Sequence, residues 1–238
     1  MDAILIGGFL GSGKTTAIIR VGKSLANKGY KVAILSNEIG EVGIDDGIVT
    51  KYGFQIRDIT NGCICCTLFL NMKATLTELH NSYDPDFILV EPSGLAFADV
   101  IKQNLELMNF GDSLAVAPVV TLIDGTRFKD LMKGLRTYML RQIGNSEILV
   151  ITKVDVLDPI QVSLIEDSLK QLNPLATVLK MSLKTESAGF DEMLRLISPR
   201  VLAVKSAPAQ MATPAPIMRT TTTIRKSVGS SFPYPRQS

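Results

Sequence analysis

The stretch Asp2-Ala3-Ile4-Leu5-Ile6-Gly7-Gly8-Phe9-Leu10-Gly11-Ser12-Gly13-Lys14-Thr15-Thr16, residues 2–16, decides the fold. It opens with a short continuous apolar run, the pattern of a strand covered on both faces. Residues 8–15 then fit G-x-x-x-x-G-K-[ST], and Ile18, Val21 and Leu25 follow at helical spacing. A glycine loop between a strand and a helix can curl so that successive N–H groups point at phosphate oxygens, at the positive end of the helix dipole. The cradle residues are Gly8, Gly11, Ser12, Gly13, Lys14, Thr15 and Thr16. Lys14 brings charge to the β- and γ-phosphates and is a catalytic candidate; the Thr15 hydroxyl completes a Mg²⁺ shell. The loop alone leaves kinase, ATPase and GTPase open.

Apolar runs at 3–7, 31–36, 87–91, 116–123, 148–152 and 177–181 alternate with helical stripes such as Leu68/Met72/Leu76/Leu79, Ile165/Leu169/Leu172 and Phe190/Met193/Leu194/Ile197. That alternation predicts an α/β fold of repeated β–α units around a mostly parallel sheet over 1–198. The methionines in those stripes are read as packing residues. The remaining residues, 199–238, hold six of the eleven prolines, six Lys or Arg and no Asp or Glu. They read as a disordered basic tail, the sharper alternative being a docking arm for an acidic partner or surface.

With the tail set aside, residues 1–198 carry nineteen basic against twenty-three acidic residues, so composition offers no basic face for nucleic acid. No run of about 18 apolar residues argues for a membrane span. The first residues lack a basic leader, and the three cysteines make no disulfide framework, so a cytoplasmic protein is expected.

Two further segments bear on the nucleotide. Thr152-Lys153-Val154-Asp155 ends an apolar run and matches the [NT]KxD pattern that reads guanine. Its Asp accepts both the ring N–H and the exocyclic amine, and adenine lacks that pair of donors. Ser182, in Met181-Ser182-Leu183-Lys184, resembles the small loop that closes over guanine. At 91–94, Glu91-Pro92-Ser93-Gly94 places a carboxylate where a magnesium ligand and catalytic group belongs, with the Gly94 amide positioned to meet a γ-phosphate.

Cys63-Ile64-Cys65-Cys66 holds all three cysteines of the chain just before a predicted helix. Thiolates are soft donors that favour zinc or copper(I), and a helix N-terminus lowers their pKa. Adjacent Cys65 and Cys66 do not easily close a shell with Cys63, so an open site suited to transferring a metal is the functional reading. Small cysteines packed under a loop is the structural one.

In this order, GGFLGSGKTT at 7–16, SNEIGEVGID at 36–45, GCICC at 62–66, EPSG at 91–94 and ITKVD at 151–155 resemble the CobW-type GTPases. These are SIMIBI-class P-loop NTPases related to the nickel-insertion GTPases of urease and hydrogenase maturation. The resemblance implies a three-layer sandwich and slow hydrolysis of GTP to GDP and phosphate with Mg²⁺. It also implies binding of zinc, cobalt or nickel through Cys63, Cys65 and Cys66, and delivery to a metal-dependent client. The acidic, Gly-bearing segment 37–45 would be the switch. Glu38 and Glu41 are candidates to complete the metal shell, and Glu38, Glu41 and Asp45 to orient water or reach Mg²⁺. Three departures stand out: no His-rich stretch or C-terminal domain, with one histidine, His80; Thr152 where Asn is commoner; and an ordinary-looking 182–184 loop. No arginine finger is identifiable, so a partner or a second copy, as a homodimer, is left to complete the site. Two alternatives remain: a small-molecule kinase with a lid from Arg127, Arg136 or Arg141, and a nucleotide-sensing scaffold with a structural zinc staple.

Overall fold

A computed structural model describes residues 1–36, 46–58, 66–108, 110–185 and 187–202. The elements run β1 (Asp2–Gly8), α1 (Lys14–Asn27), β2 (Val32–Ser36), α2 (Asp46–Tyr52), β3 (Gln55–Asp58), α3 (Cys66–Ser82), β4 (Phe87–Glu91) and α4 (Ala98–Leu107). They continue with β5 (Ala115–Val116), β6 (Val120–Asp124), α5 (Phe128–Gly134), α6 (Arg136–Gly144), β7 (Ile148–Thr152), α7 (Pro159–Leu172), β8 (Thr177–Lys180) and α8 (Ala188–Ile197).

The sheet has the order β3-β2-β4-β1-β6-β7-β8, with the short β5 also beside β1, and its pairings are parallel. Every residue of β1 is buried, which is why its sequence does not alternate. Ile4 and Ile6 point to one face, against Ile18, Val21 and Leu25 of α1 and Phe190, Met193 and Ile197 of α8. Ala3 and Leu5 point to the other, against Met72, Leu76 and Leu79 of α3 and Ile101 and Leu105 of α4. Farther along the sheet Leu149 and Ile151 pack with α5, α6 and α7. The result is the expected three-layer α/β sandwich. Met72 and Met193 are core residues, as their spacing predicts.

The expected strand over 116–123 is two strands, β5 and β6. Pro118 lies between them; it has no N–H for the ladder and a fixed φ, so pairing with β1 stops and resumes. The sequence pattern also missed β3, where the polar Gln55, Arg57 and Asp58 leave no apolar run at an edge position. At the amino end of the strands a 3₁₀ turn, Pro199–Leu202, docks on the body. Arg200 Nη1 donates to Asp2 Oδ1 at 2.8 Å, Ser198 Oγ to Asp2 Oδ2 at 3.0 Å, and Tyr30 OH to the Arg200 carbonyl at 2.9 Å. Among the described residues no helix is long and apolar enough to cross a membrane.

The register sets the position of the site. Ser36 pairs with both Glu91 and Asp58, and Asp124 with Thr152, so these residues share the carboxyl edge of the sheet with Gly8, where parallel α/β folds bind ligands.

Candidate functional site

Gly13 caps α1 at φ 99°, in the left-handed region, and a Cβ there would sit 2.8 Å from Leu183 Cδ1. Gly8 has φ 140°, and its Cβ would lie 2.6 Å from the Leu122 carbonyl oxygen, a contact backbone cannot relieve. The 8–13 loop thus takes a shape that side chains at these two positions would break. Ser12 N–H donates to the Phe9 carbonyl at 3.1 Å inside the loop, while Ser12 Oγ is buried with no hydrogen-bond partner among the described residues.

Lys14 follows, only 4% exposed, and takes part in no ion pair among the described residues. An ammonium taken out of water without a carboxylate is costly and calls for an anion. Thr15 Oγ1 donates to Glu91 Oε1 at 2.5 Å, and Ser36 Oγ to Glu91 Oε2 at 3.2 Å. Glu91 is 1% exposed. Two hydroxyls and a carboxylate, all hard oxygen donors beside the phosphate loop, fit the chemistry of Mg²⁺. Thr16 is exposed on the first turn of α1.

Gly94 comes against the loop from the other side: a Cβ there would meet Leu10 N and Cα at 3.1 Å. Its carbonyl accepts from Tyr138 OH at 2.8 Å, and that hydroxyl accepts from Gln142 Nε2 at 2.7 Å. Burial pushes the Tyr138 hydroxyl up to about 12, against the opposing hydrogen bond from Gln142, so it stays a donor across the neutral range. Arg127 Nη1 donates to the Leu10 carbonyl at 3.0 Å and its guanidinium lies over Phe9 at 5.6 Å. Arg141 lies 3.8 Å over Phe97 and 4.0 Å from Asp99. Two of the three arginines considered for a kinase lid are therefore engaged within the protein.

At the far side of the loop, Thr152 Oγ1 donates to the Ser12 carbonyl at 3.0 Å and the Ile123 carbonyl at 3.3 Å, tying β7 to the phosphate loop. Lys153 adopts φ 60°, a left-handed conformation that costs a side-chain-bearing residue about 1 kcal/mol. Its Nζ bonds Asp124 Oδ2 at 2.7 Å, and Asp124 Oδ1 accepts from Thr126 N–H at 3.0 Å and Thr126 Oγ1 at 2.6 Å. Burial pushes the Asp124 carboxyl up, but the hydrogen bonds from Lys153 and Thr126 outweigh it and hold the group below the usual carboxylate range. Asp155 is partly exposed, 3.9 Å from Lys184 Nζ, and Ser182 Oγ accepts from Lys184 N–H at 3.2 Å.

The fold therefore gathers Gly8, Gly11, Ser12, Gly13, Lys14, Thr15, Glu91, Gly94, Thr152, Lys153, Asp155 and Ser182 along one edge. Glu38, Glu41, Asp45, Cys63 and Cys65 lie outside the described residues, and Cys66 is described only as the first residue of α3. Asp124, Ser36, Arg127 and Tyr138 were not singled out as nucleotide-site residues from sequence. Asp124 had a readable signal, a carboxylate ending the apolar run Val120-Thr121-Leu122-Ile123, the same cue that marked Glu91.

The family model for the CobW/HypB/UreG nucleotide-binding domain matches residues 2–180. The zinc chaperone YeiR of Escherichia coli is 34% identical over 157 residues, covering 65% of this chain and 47% of YeiR. The zinc-regulated GTPase metalloprotein activator 1 of Dictyostelium discoideum is 27% identical over 215 residues, 74% of this chain and 44% of that protein. The chain thus spans about half the length of these relatives. The crystal structure of the hydrogenase maturation factor HypB from Archaeoglobus fulgidus superposes with a TM-score of 0.59 at 23% identity, over 81% of this chain and 86% of that one, a likeness of fold. With the match running from the start of β1 to the end of β8, the chain belongs to the CobW/HypB/UreG nucleotide-binding domain family.

Proposed function

We propose that residues 1–198 bind GTP with Mg²⁺, hydrolyse it to GDP and phosphate, and use the nucleotide state to govern uptake and transfer of a transition metal to a client protein. The cargo is zinc, with cobalt and nickel as alternatives. The observation that carries the nucleotide half is the buried Lys14, in no ion pair among the described residues, beside the Thr15–Glu91–Ser36 oxygen cluster. The names of the relatives, zinc chaperone and zinc-regulated GTPase metalloprotein activator, support the metal half.

In this reading the amides of residues 8–16 and the Lys14 ammonium hold the β- and γ-phosphates and stabilise charge as water attacks in line. Thr15 Oγ1 and Glu91 would hold Mg²⁺, which when bound neutralises charge on the same phosphates. Gly94, braced by Tyr138, offers its amide to the γ-phosphate. Asp155 accepts both guanine donors while the Lys153 stem, anchored by Asp124, lines the base. Glu38, Glu41 or Asp45 orients the water.

Topology supports the proposed link to metal. Segment 37–45 leaves the carboxyl end of β2, segment 59–65 leaves that of β3, and the two ends, Ser36 and Asp58, are partners in register. The proposed switch segment and the segment carrying Cys63, Cys65 and Cys66 thus follow paired strand ends in the chain, and Ser36 touches Glu91. Ordering one segment on GTP changes the surroundings of the other. The basic segment expected from residue 199 starts within this unit, since Pro199–Leu202 docks on Asp2 and Tyr30; its continuation, 203–238, lies outside the described residues. The setting is the cytoplasm, where thiols stay reduced, and neither nucleic acid nor a membrane is a partner. Turnover by the single chain is slow, and a client or a second copy completes the site.

Phosphate release tests the enzymatic half. Release from GTP should exceed release from ATP by about a hundredfold at equal concentration. Equal release, or label moving to an added small-molecule acceptor, would overturn it.

A further inference from the structure

Arg20 belongs to none of the motifs; it is a half-buried residue on α1, between the core residues Ile18 and Val21. Its Nη1 donates to the Thr185 carbonyl at 2.6 Å and to the Ser182 carbonyl at 3.2 Å, and its guanidinium lies 4.1 Å over the ring of Phe190. Phe190 is 5% exposed, fixed in the core by α8. The two carbonyls belong to the loop after β8, an edge strand. Among the described residues its other ties are Lys184 N–H on Ser182 Oγ, Leu183 packed on the core with its methyl over Gly13, and Lys184 at 3.9 Å from Asp155.

We infer that Arg20 is a positioning residue for base recognition, clamping the 182–185 loop over the nucleoside end of the site and fixing its distance from the phosphate loop. The clamp suits arginine. One guanidinium nitrogen, Nη1, reaches two carbonyls three residues apart while the planar group stacks its face on an aromatic ring; an ammonium has no plane to stack. Because α1 begins at Lys14, the helix that carries the phosphate lysine also holds the loop at the other end of the ligand, about one and two-thirds turns on. This rests on the nucleotide reading above but not on the choice of guanine.

The test compares GTP, GDP, ATP and inorganic tripolyphosphate binding to the full chain, wild type against Arg20→Ala and Arg20→Lys. Tripolyphosphate reads the phosphate loop alone. Arg20→Ala should weaken GTP and GDP by the same factor, about tenfold, and leave tripolyphosphate within twofold, about the scatter of such assays. Arg20→Lys, which keeps the charge and the stem, should lose about threefold and carries the test if the alanine variant does not fold. Equal losses for GTP and tripolyphosphate, or no loss for either, would overturn the inference. A wild type that prefers ATP overturns the guanine assignment separately, and Arg20 is then judged by the ATP-to-tripolyphosphate ratio. A wild type that binds tripolyphosphate as well as any nucleotide has no base subsite and defeats both.

Discussion

At the phosphate corner Lys14, Thr15, Ser36 and Glu91 come from the first turn of α1 and two neighbouring strand ends; Lys14, Ser36 and Glu91 are buried, and the ammonium has no carboxylate paired to it among the described residues. At the base corner the side chains of Lys153, Asp155 and Lys184 are 41%, 29% and 79% exposed, and each has a protein partner drawn from a distant segment. Among the described residues the first corner leaves an ammonium without a counter-charge, open to a ligand; the second is kept in shape by the protein's own pairs. Substitutions should therefore act on affinity and turnover at the first corner, and on selectivity and stability at the second.

The largest effect falls on Lys14. Lys14→Ala should weaken GTP by about a hundredfold in a titration with fluorescent nucleotide, since several charge-assisted contacts go together. The ligand-free chain should not melt lower, because the charge removed is buried and has no ion-pair partner among the described residues. A marked fall in its midpoint would show that Lys14 is a structural ion and would erase the contrast between the corners. Next comes Glu91→Gln, which keeps hydrogen-bonding capacity toward Thr15 and Ser36 but loses the charge. Turnover should drop by about a hundredfold, and the Mg²⁺ concentration needed for half activity should rise. Unchanged Mg²⁺ dependence would remove Glu91 from the metal shell.

At the base corner Asp155→Asn should narrow the GTP-over-ATP preference by about tenfold in competition binding and improve xanthosine triphosphate, whose 2-oxo group accepts from the new amide. An intact preference would mean that another group reads the base. The smallest effect concerns Asp124. Its carboxyl is held below the usual range, so its contribution is present above the ordinary carboxylate pKa and fades as pH falls through the folded value. With Lys153 partly exposed, Asp124→Asn should cost about 1 kcal/mol at pH 7 in denaturant unfolding. The gap to wild type should close on acidification below about pH 4. A gap that widens with acid would contradict the pairing.

The two corners were unequally legible in the sequence, for a physical reason. The phosphate loop, the Glu91 strand end and residues 152–155 are local patterns, in which chain direction and residue type alone fix the chemistry. The sequence places Thr152 in the base-reading segment, as a departure from asparagine, but does not show its hydroxyl reaching the Ser12 carbonyl, 140 positions away. Arg20 reaches Thr185 across 165 positions and Arg127 reaches Leu10 across 117, contacts that no short-range periodicity encodes. The same limit hid the break at Pro118 inside an otherwise apolar run. The sheet was legible because β1, β2, β4, β6 and β7 are buried along their whole length; β3, polar and at the edge, was not.

Communication between the terminal phosphate and the three sulfurs is best tested by zinc affinity. It would be measured by chelator competition with GTP·Mg²⁺, with GDP·Mg²⁺ and without nucleotide, on wild type and on Cys65→Ser/Cys66→Ser. A shift of at least about tenfold between the GTP and GDP states, returned as an equal shift in GTP affinity on adding zinc and lost in the double variant, is the predicted result. One zinc affinity in all three nucleotide states would contradict it and leave a nucleotide hydrolase with no cargo under its control.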